Sequence, residues 1–354
     1  MNQERVTGID TARGLAVLGM FAVHAGPQSL AEVTEGRASA LFLVLAGVSL
    51  ALLSRGDLRR ARARIAVRAG LLLAIGLGLR AADVPFVEIL TGYGVCFLLC
   101  LPLVGLSRRM LLGIAIASVL IGPQLRFLLL EAQLFSWDFP ALTYLPLVLI
   151  GLAVGRLDLV RARVRLLVTG LVLAVLGYGL SWLILEPLGL ARRLRAQLPY
   201  ADPELWPTGG DLNDYDVVAL PLLNSHDLGV PLDPAWLLVT GAYTRTTFDL
   251  IFTAGVALAV IGGCLFVTEH VLGALGSMAL TWYVAHMLVL DLLWTDDGGP
   301  RSWQLFSIFA AVALSGAWVW RRYLGRGPLE RVLHSVSIRV AGLVPAREAP
   351  ATVG

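Results

Sequence analysis

The sequence predicts an all-α, polytopic integral membrane protein with about ten transmembrane helices. Three observations predict this class. The mean hydropathy is +0.76, hydrophobic residues make up 57% of the chain against 15% for charged residues, and the apolar residues fall in long runs. A membrane-spanning helix needs about 20 such residues because the hydrocarbon core is about 30 Å thick. The 354 residues suffice for about ten spans and leave little length for a soluble domain.

Ten apolar runs have the length of a membrane span, and each is bounded by charge or by Pro and Gly. They lie at about 9–27, 37–54, 63–82, 87–106, 110–129, 141–157, 164–186, 247–268, 274–294 and 302–322. Residues 1–340 form one predicted transmembrane domain, which carries an extracytoplasmic insert at about 187–246. Residues 341–354 form a cytoplasmic tail that is predicted to be disordered.

The placement of arginine predicts the orientation. Clusters of Arg fall in the connections at 55–64, 108–109 and 161–165 and again after the last span at 321–331. By the positive-inside rule these connections and both termini lie in the cytoplasm. All 28 basic residues are Arg and none is Lys, which is typical of GC-rich bacterial coding, so we expect a bacterial inner or plasma membrane. The pI near 8.9 then reflects topology and predicts no nucleic-acid partner.

The first helix carries three ionisable residues, and charge inside a membrane helix is costly enough to indicate function. Asp10 and Arg13 stand at i,i+3 and can pair. His24 follows Arg13 by eleven residues, so it lies on the same helix face, roughly 16 Å farther along the axis. Structural alternatives stay open. In these alternatives, Asp10 only caps the helix and pairs with Arg13, Arg13 extends to the membrane interface, and His24 is an interfacial residue at the helix end.

Weaker candidates for substrate binding stand in other predicted spans. His286, in the ninth span, lines a cavity with His24 or serves as a hydrogen-bonded structural histidine. Arg37 and Glu88 begin the second and fourth spans, where they hold a polar acceptor or anchor the helices at the interface. The sequence does not decide between these alternatives.

Two further patterns predict structure rather than chemistry. Thr246 and Asp249 have the spacing of a capping box, with Asp in place of Glu. The three cysteines, Cys96, Cys100 and Cys264, fall in apolar stretches and are read as small hydrophobic side chains. Neither a disulfide framework nor a metal site is predicted, because the few His and Cys residues are scattered.

One run in the first helix and four later segments carry a family resemblance. The run is RVTGIDTARGLA at 5–16, and His24 follows its Arg13 after ten intervening residues. The later segments are GRASALFLVLAGVS at 36–49, GLAVGRL at 151–157, GSMALTWY at 276–283 and GRGPLE at 325–330. In this order they resemble the transmembrane acyltransferase superfamily, which includes the acyltransferase-3 enzymes, the heparan-alpha-glucosaminide N-acetyltransferase-like proteins and the YeiB-like proteins. The similarity covers almost the whole chain except 187–246.

The resemblance implies acyl transfer from cytoplasmic acyl-CoA, expected to be acetyl-CoA, to a hydroxyl or amine of a cell-envelope glycan or amino sugar. In acyltransferase-3 enzymes the pair of Arg and His separated by ten residues is essential, and it maps onto Arg13 and His24. We therefore expect His24 and Asp10 to be catalytic and Arg13 to bind the CoA donor. Imidazole suits a general base near neutral pH, and the guanidinium fork suits phosphate.

Two other functional classes stay open. One is a proton- or anion-coupled transporter in which the first-helix residues and His286 form a pathway. The other is a non-catalytic sensor or assembly protein of the membrane. The expected partners are acyl-CoA, the sugar or glycan acceptor and the lipid bilayer, with no metal and no nucleic acid. The acceptor, the acyl chain length, a covalent or direct mechanism, and a homodimer are left undecided.

Overall fold

The computed structural model describes residues 3–82, 84, 89–131, 143–195, 233–241, 243–267, 270–293 and 301–344. Within these ranges all regular structure is helical, which confirms the all-α prediction. The α-helices are α1 Gln3–Ala25, α2 Gln28–Thr34, α3 Arg37–Leu53, α4 Leu58–Ala81, α5 Leu90–Cys100, α6 Arg108–Glu131, α7 Leu145–Val154, α8 Leu159–Leu185, α9 Leu190–Arg195, α10 Thr247–Cys264, α11 His270–Ser277, α12 Ala279–Leu293, α13 Trp303–Tyr323 and α14 Pro328–Gly342. Short 3₁₀ helices lie at Leu103–Gly105 and Pro234–Leu238.

The described helices have the length and surface of membrane spans. Five stretches are long and apolar enough to cross a bilayer, and the bent pair α11–α12 makes a sixth if its halves form one span. The five are Gln28–Leu53, Arg108–Leu129, Leu159–Leu185, Thr247–Cys264 and Trp303–Tyr323. The outward side of α8 exposes large apolar side chains, among them Val168, Val175 and Leu183. Such a surface suits lipid rather than water, so the chain is a helical membrane protein.

Several helix boundaries differ from the prediction. The ninth predicted span, 274–294, consists of α11 and α12, which meet at a bend of 74°. The fourth, 87–106, begins with α5 and continues as a 3₁₀ turn. The helices α2, α9 and α14 were not predicted, because they are short or lie at the polar edges of apolar runs. Residues 196–232 of the predicted insert and 345–354 of the predicted tail lie outside the described residues.

Glycines allow the closest approach between two long helices, α8 and α10, which pack along their length. Gly170 of α8 and Gly255 of α10 face each other, and a Cβ on either one would collide with the backbone of the opposite helix. Seven residues farther along, Gly177 and Gly262 make equally close backbone contacts. Small residues stabilise such crossings in membranes because they let backbones touch. We call these four residues the glycine seam.

Helix α1 lies at the centre of the bundle, against α3, α10, α11, α12 and α13. Its crossing with α11 also depends on glycine. A Cβ on Gly14 would collide with the Leu272 carbonyl, and a Cβ on Gly276 with the Asp10 carbonyl. Asp10 and His24 are both buried and therefore face other helices and not lipid.

Candidate functional site

His24 and His286 form a buried hydrogen-bonded pair, which we call the histidine pair. Nδ1 of His24 lies 3.0 Å from Nε2 of His286. The two rings are nearly parallel, at an angle of 11° with their centroids 5.3 Å apart. His24 stands in the last turn of α1, and His286 stands at the middle of α12. The structure thus brings together two candidates that lie in the first and ninth predicted spans.

Hydrogen-bond chemistry determines the ring tautomers. Nδ1 of His286 lies 3.2 Å from the carbonyl oxygen of Trp282, one turn earlier in α12. A carbonyl only accepts, so this nitrogen carries the hydrogen, and Nε2 of the neutral ring accepts from Nδ1 of His24. In neutral His24 the proton-accepting nitrogen is then Nε2. This is the arrangement of a general base whose ring is oriented by a second side chain.

Aromatic side chains surround the histidine pair. The ring centroid of Phe21 lies 5.0 Å from that of His286, and Phe309 packs behind Phe21 at 5.7 Å. Tyr283 meets His286 edge-on at 5.4 Å. Such apolar walls limit water and strengthen the hydrogen bonds inside them.

A positive charge lies beside the pair and was missed by the sequence analysis. Arg301 donates from Nη2 to the Val23 carbonyl at 2.6 Å and from Nη1 to Gln28 Oε1 at 3.1 Å. These bonds satisfy the end of α1 next to His24. One signal could have pointed to Arg301. It is an arginine at the end of a span that the positive-inside rule places outside, where arginine is less common.

At the opposite end of α1, the predicted i,i+3 pair is confirmed. Arg13 Nη1 lies 2.6 Å from Asp10 Oδ1. Arg13 Nη2 donates to Ser49 Oγ of α3 at 2.7 Å, and Ser49 Oγ donates to the Leu45 carbonyl at 2.7 Å. The guanidinium is therefore held between α1 and α3 and is not simply extended into solvent.

Four arginines, namely Arg13, Arg64, Arg68 and Arg326, gather at this end and form what we call the arginine cluster. Arg68 of α4 interacts electrostatically with the other three guanidinium groups. The Nε atoms of Arg64 and Arg68 are buried and have no hydrogen-bond partner among the described residues. The charge of Arg13 is balanced by Asp10, and the other three guanidinium groups give the cluster an excess of positive charge. Such an excess suits a multiply charged anion, because guanidinium forks bind phosphate oxygens.

Helix α14 holds the start of α12. Glu330 Oε1 accepts from the backbone N–H of Thr281 at 3.0 Å, and Oε2 accepts from its hydroxyl at 2.5 Å. Thr281 is the third residue of α12, so its N–H has no partner inside that helix. The carboxylate therefore caps α12 just after the bend, five residues before His286.

A second buried polar group lies at the start of α10. Thr246 Oγ1 accepts from the Asp249 N–H at 3.1 Å, which confirms the Thr246 half of the predicted capping box. Asp249 Oδ2 accepts from the Arg245 N–H at 3.0 Å. The Arg245 guanidinium donates to Ser39 Oγ of α3 at 3.3 Å, and it lies 5.3 Å from the ring centroid of Tyr144.

The remaining substrate-binding candidates do not join the histidine pair in the described residues. Arg37 Nη1 donates to the carbonyls of Glu32 and Val33 at 2.6 and 2.9 Å, and so it satisfies the end of α2. This geometry fits the anchoring alternative, and a role in substrate binding stays a prediction. Glu88 lies outside the described residues. The described part of the chain contains no group of three or more His, Cys, Asp or Glu side chains placed to hold a metal ion.

No protein-family model, curated protein or solved structure matches the chain. The functional interpretation therefore depends on the chemistry of the histidine pair and the arginine cluster.

Proposed function

We propose that the protein is a membrane-bound acyltransferase that moves an acyl group, with acetyl as the first expectation, from cytoplasmic acyl-CoA to a hydroxyl or amine of a cell-envelope glycan or amino sugar. The observation that carries this proposal is the hydrogen-bonded histidine pair, at the opposite end of α1 from the arginine cluster. Helical rise separates Arg13 from His24 by roughly 16 Å along the axis. A donor with a phosphate-bearing end and a flexible thioester arm suits that layout.

The proposal includes ten membrane spans. The five long apolar stretches and the bent pair account for six, and the short apolar helices α5 and α7 add two. Helices α1 and α4 supply the remaining two, since each has more than 20 residues but carries charge. The positive-inside rule then places the arginine cluster and both termini in the cytoplasm of a bacterial inner membrane. The histidine pair lies toward the opposite side, where an envelope acceptor arrives.

In the proposed reaction, His24 is the general base. Nε2 of His24 takes the proton of the acceptor hydroxyl or amine while its oxygen or nitrogen attacks the thioester carbonyl. The C–S bond breaks, and the leaving CoA thiolate receives that proton from His24. Nε2 of His286 accepts the hydrogen bond from His24 Nδ1 throughout, so it orients the ring and stabilises its positive charge. Arg13 and Arg68 bind the phosphates of the donor.

Binding of radiolabelled acetyl-CoA to the purified protein in detergent tests the proposal. We expect saturable binding that Arg13→Ala weakens at least tenfold, because a charge-assisted contact is lost. His24→Ala should bind acetyl-CoA normally and transfer no acetyl group. Arg59→Ala is the matched control, since Arg59 lies on the same side but outside the cluster. Absence of binding, or turnover in His24→Ala, would refute the proposal.

One observation favours a proton-coupled transporter as the second candidate. The break between α11 and α12 bends the chain by 74° within an apolar segment, and broken helices surround the binding sites of many transporters. In that case the histidine pair carries protons. Proteoliposomes distinguish the two functions. A transporter requires a gradient and shows proton uptake that His24→Ala abolishes, whereas the acyltransferase binds acetyl-CoA without any gradient.

A further inference from the structure

A buried row of tyrosines adjoins the histidine pair and has no part in the proton transfer described above. It consists of Tyr283, Tyr93 and Tyr144, and we call it the tyrosine row. Tyr283 packs edge-on against His286, and its hydroxyl accepts the Ile89 N–H at 3.3 Å. The row therefore begins in direct contact with the pair.

The hydroxyl of Tyr93 is the exceptional group in this row. Tyr93 is only 8% exposed, and its hydroxyl has no hydrogen-bond partner within the described ranges. The side chains of Tyr283 and Tyr144 and the Arg245 guanidinium lie near enough to interact with it electrostatically. Burying a hydroxyl without a partner costs free energy, and in native proteins such a group calls for an explanation. A ligand that bonds to it supplies one.

The chemistry around Tyr93 indicates which ligand fits. The Arg245 guanidinium lies over the ring of Tyr144 and contacts Ser39. Three tyrosine side chains and a guanidinium thus lie near one another in the buried region next to His286. Aromatic rings pack on the C–H faces of a pyranose, and a few placed polar groups bond its hydroxyls.

We infer that the tyrosine row binds the acceptor as a pyranose ring, and that the Tyr93 hydroxyl bonds a hydroxyl or amino group of that ring. The inference deepens the proposed function, and it names Tyr93 as a residue that positions the acceptor. A free sugar and the sugar of a lipid-linked glycan share this ring chemistry, so the experiment separates the two sources.

The test compares the thermal stability of full-length wild-type protein and Tyr93→Phe in a detergent without a sugar headgroup. The probes are glucosamine and its hexyl glycoside, with sorbitol as the control for general polyol effects. We expect both probes to raise the melting temperature of the wild type more than sorbitol does. Tyr93→Phe should need about tenfold more sugar for the same rise, because one hydrogen bond is lost. A response to the hexyl glycoside alone would assign the site to a lipid-linked acceptor.

Without ligand, Tyr93→Phe should melt at the same or a higher temperature than the wild type, because it removes a buried hydroxyl that has no partner among the described residues. Tyr283→Phe should melt lower, because it removes the acceptor of the Ile89 N–H. Tyr178→Phe, on the exposed side of α8, should keep the full response to sugar. A lower melting temperature or misfolding of Tyr93→Phe would assign its hydroxyl to structure and overturn the inference. An unchanged sugar response, or no response in the wild type, would overturn it as well.

Acetyl-CoA binding, measured on the same preparations, separates this inference from the proposed function. If sugar binding depends on Tyr93 but acetyl-CoA does not bind, the sugar site at the tyrosine row is supported and the proposed acyltransferase function is refuted. If acetyl-CoA binding depends on Arg13 but no sugar binds, the proposed acyltransferase function is supported and the sugar site is refuted.

Discussion

The glycine seam and the histidine pair join helices by opposite means. In the seam, α8 and α10 approach until their backbones touch, and the crossing is stabilised by dispersion contacts. At the pair, α1 and α12 meet through polar rings, and every buried nitrogen needs a partner. The glycine seam has no room for an added atom, whereas the histidine pair depends on which nitrogen atoms donate hydrogen bonds. Changes in the seam should therefore act on stability, and changes at the pair should act on chemistry.

The largest effect is expected in the seam. In Gly255→Ala the new Cβ meets backbone atoms of Ala174 and Gly170, which cannot move aside as a side chain can. We expect the free energy of unfolding to fall by about 3 kcal/mol, measured by denaturation in detergent micelles. Gly263→Ala is the matched control in the same helix, because its Cβ points into open space. It should be neutral or stabilise by up to about 1 kcal/mol.

Equal stability of the two alanine variants would contradict the close crossing of α8 and α10.

At the histidine pair, the second-largest effect should appear in turnover, with a smaller loss of stability because the buried Nδ1–H of His24 loses its acceptor. His286→Phe removes the acceptor for His24 Nδ1, and we expect kcat to fall about a hundredfold with an unchanged KM for acetyl-CoA. In His286→Gln the amide oxygen can accept the same hydrogen bond, so part of the rate should return. Steady-state kinetics, with melting temperatures as the control, measure this. Equal losses in both variants would show that His286 does not act by orienting His24.

Two helix caps, at Glu330 and Asp158, test whether a loss of stability also lowers turnover. Glu330→Ala removes the acceptor of the Thr281 N–H in α12, and Asp158→Ala removes the N-cap of α8, whose side chain accepts from the Arg161 N–H. Each change should lower the free energy of unfolding by about 1–2 kcal/mol. Only Glu330→Ala should also lower turnover, because it loosens the helix that carries His286. A matching loss of turnover in Asp158→Ala would show that the two regions are coupled.

The smallest effect concerns pH. Burial, with the neighbouring Arg326 and Arg68 guanidinium groups, holds the pKa of His334 on α14 below its ordinary value. Protonation of His334 adds positive charge beside the arginine cluster, so the affinity for acetyl-CoA should rise about twofold as the pH falls through this pKa. The folded protein should lose stability over the same range, because the unfolded chain binds that proton more readily.

Binding measured between neutral and mildly acidic pH tests this dependence. His334→Gln should remove the increase, and His270→Gln, outside the cluster, should keep it. An increase that survives in His334→Gln would assign the titration to another group.

The features that the sequence predicted depend on local spacing. The Asp10–Arg13 pair and the Thr246 cap involve residues three apart, so helical geometry alone brings them together. The bend between α11 and α12 left no such signal, because the apolar run at 274–294 continues through it. Its causes are distant in the chain. Gly276 packs against the Asp10 carbonyl, and Glu330 caps the new helix start.

The site was predicted only in part for the same reason. Periodicity showed that His24 and Arg13 share one face of a helix, but it could not show which helix that face would meet. His286 became the partner of His24 through the packing of α12 against α1. Arg68 falls inside the predicted span 63–82 and was not among the sequence candidates, and its neighbours in the cluster include residues from α1 and from the α13–α14 connection. Such long-range contacts follow from tertiary packing, and no residue spacing in the sequence predicts them.

The internal pairing of Asp10 with Arg13 has a consequence for biogenesis. Helix α1 is synthesised well before α11, against which its Gly14 packs. During that interval α1 resides in the bilayer without its main partner. An ion pair within one helix neutralises both charges before any neighbouring helix is present, and so it lowers the free-energy cost of placing that helix in lipid. The Asp10–Arg13 bridge thus stabilises α1 in the bilayer until α11 packs against it.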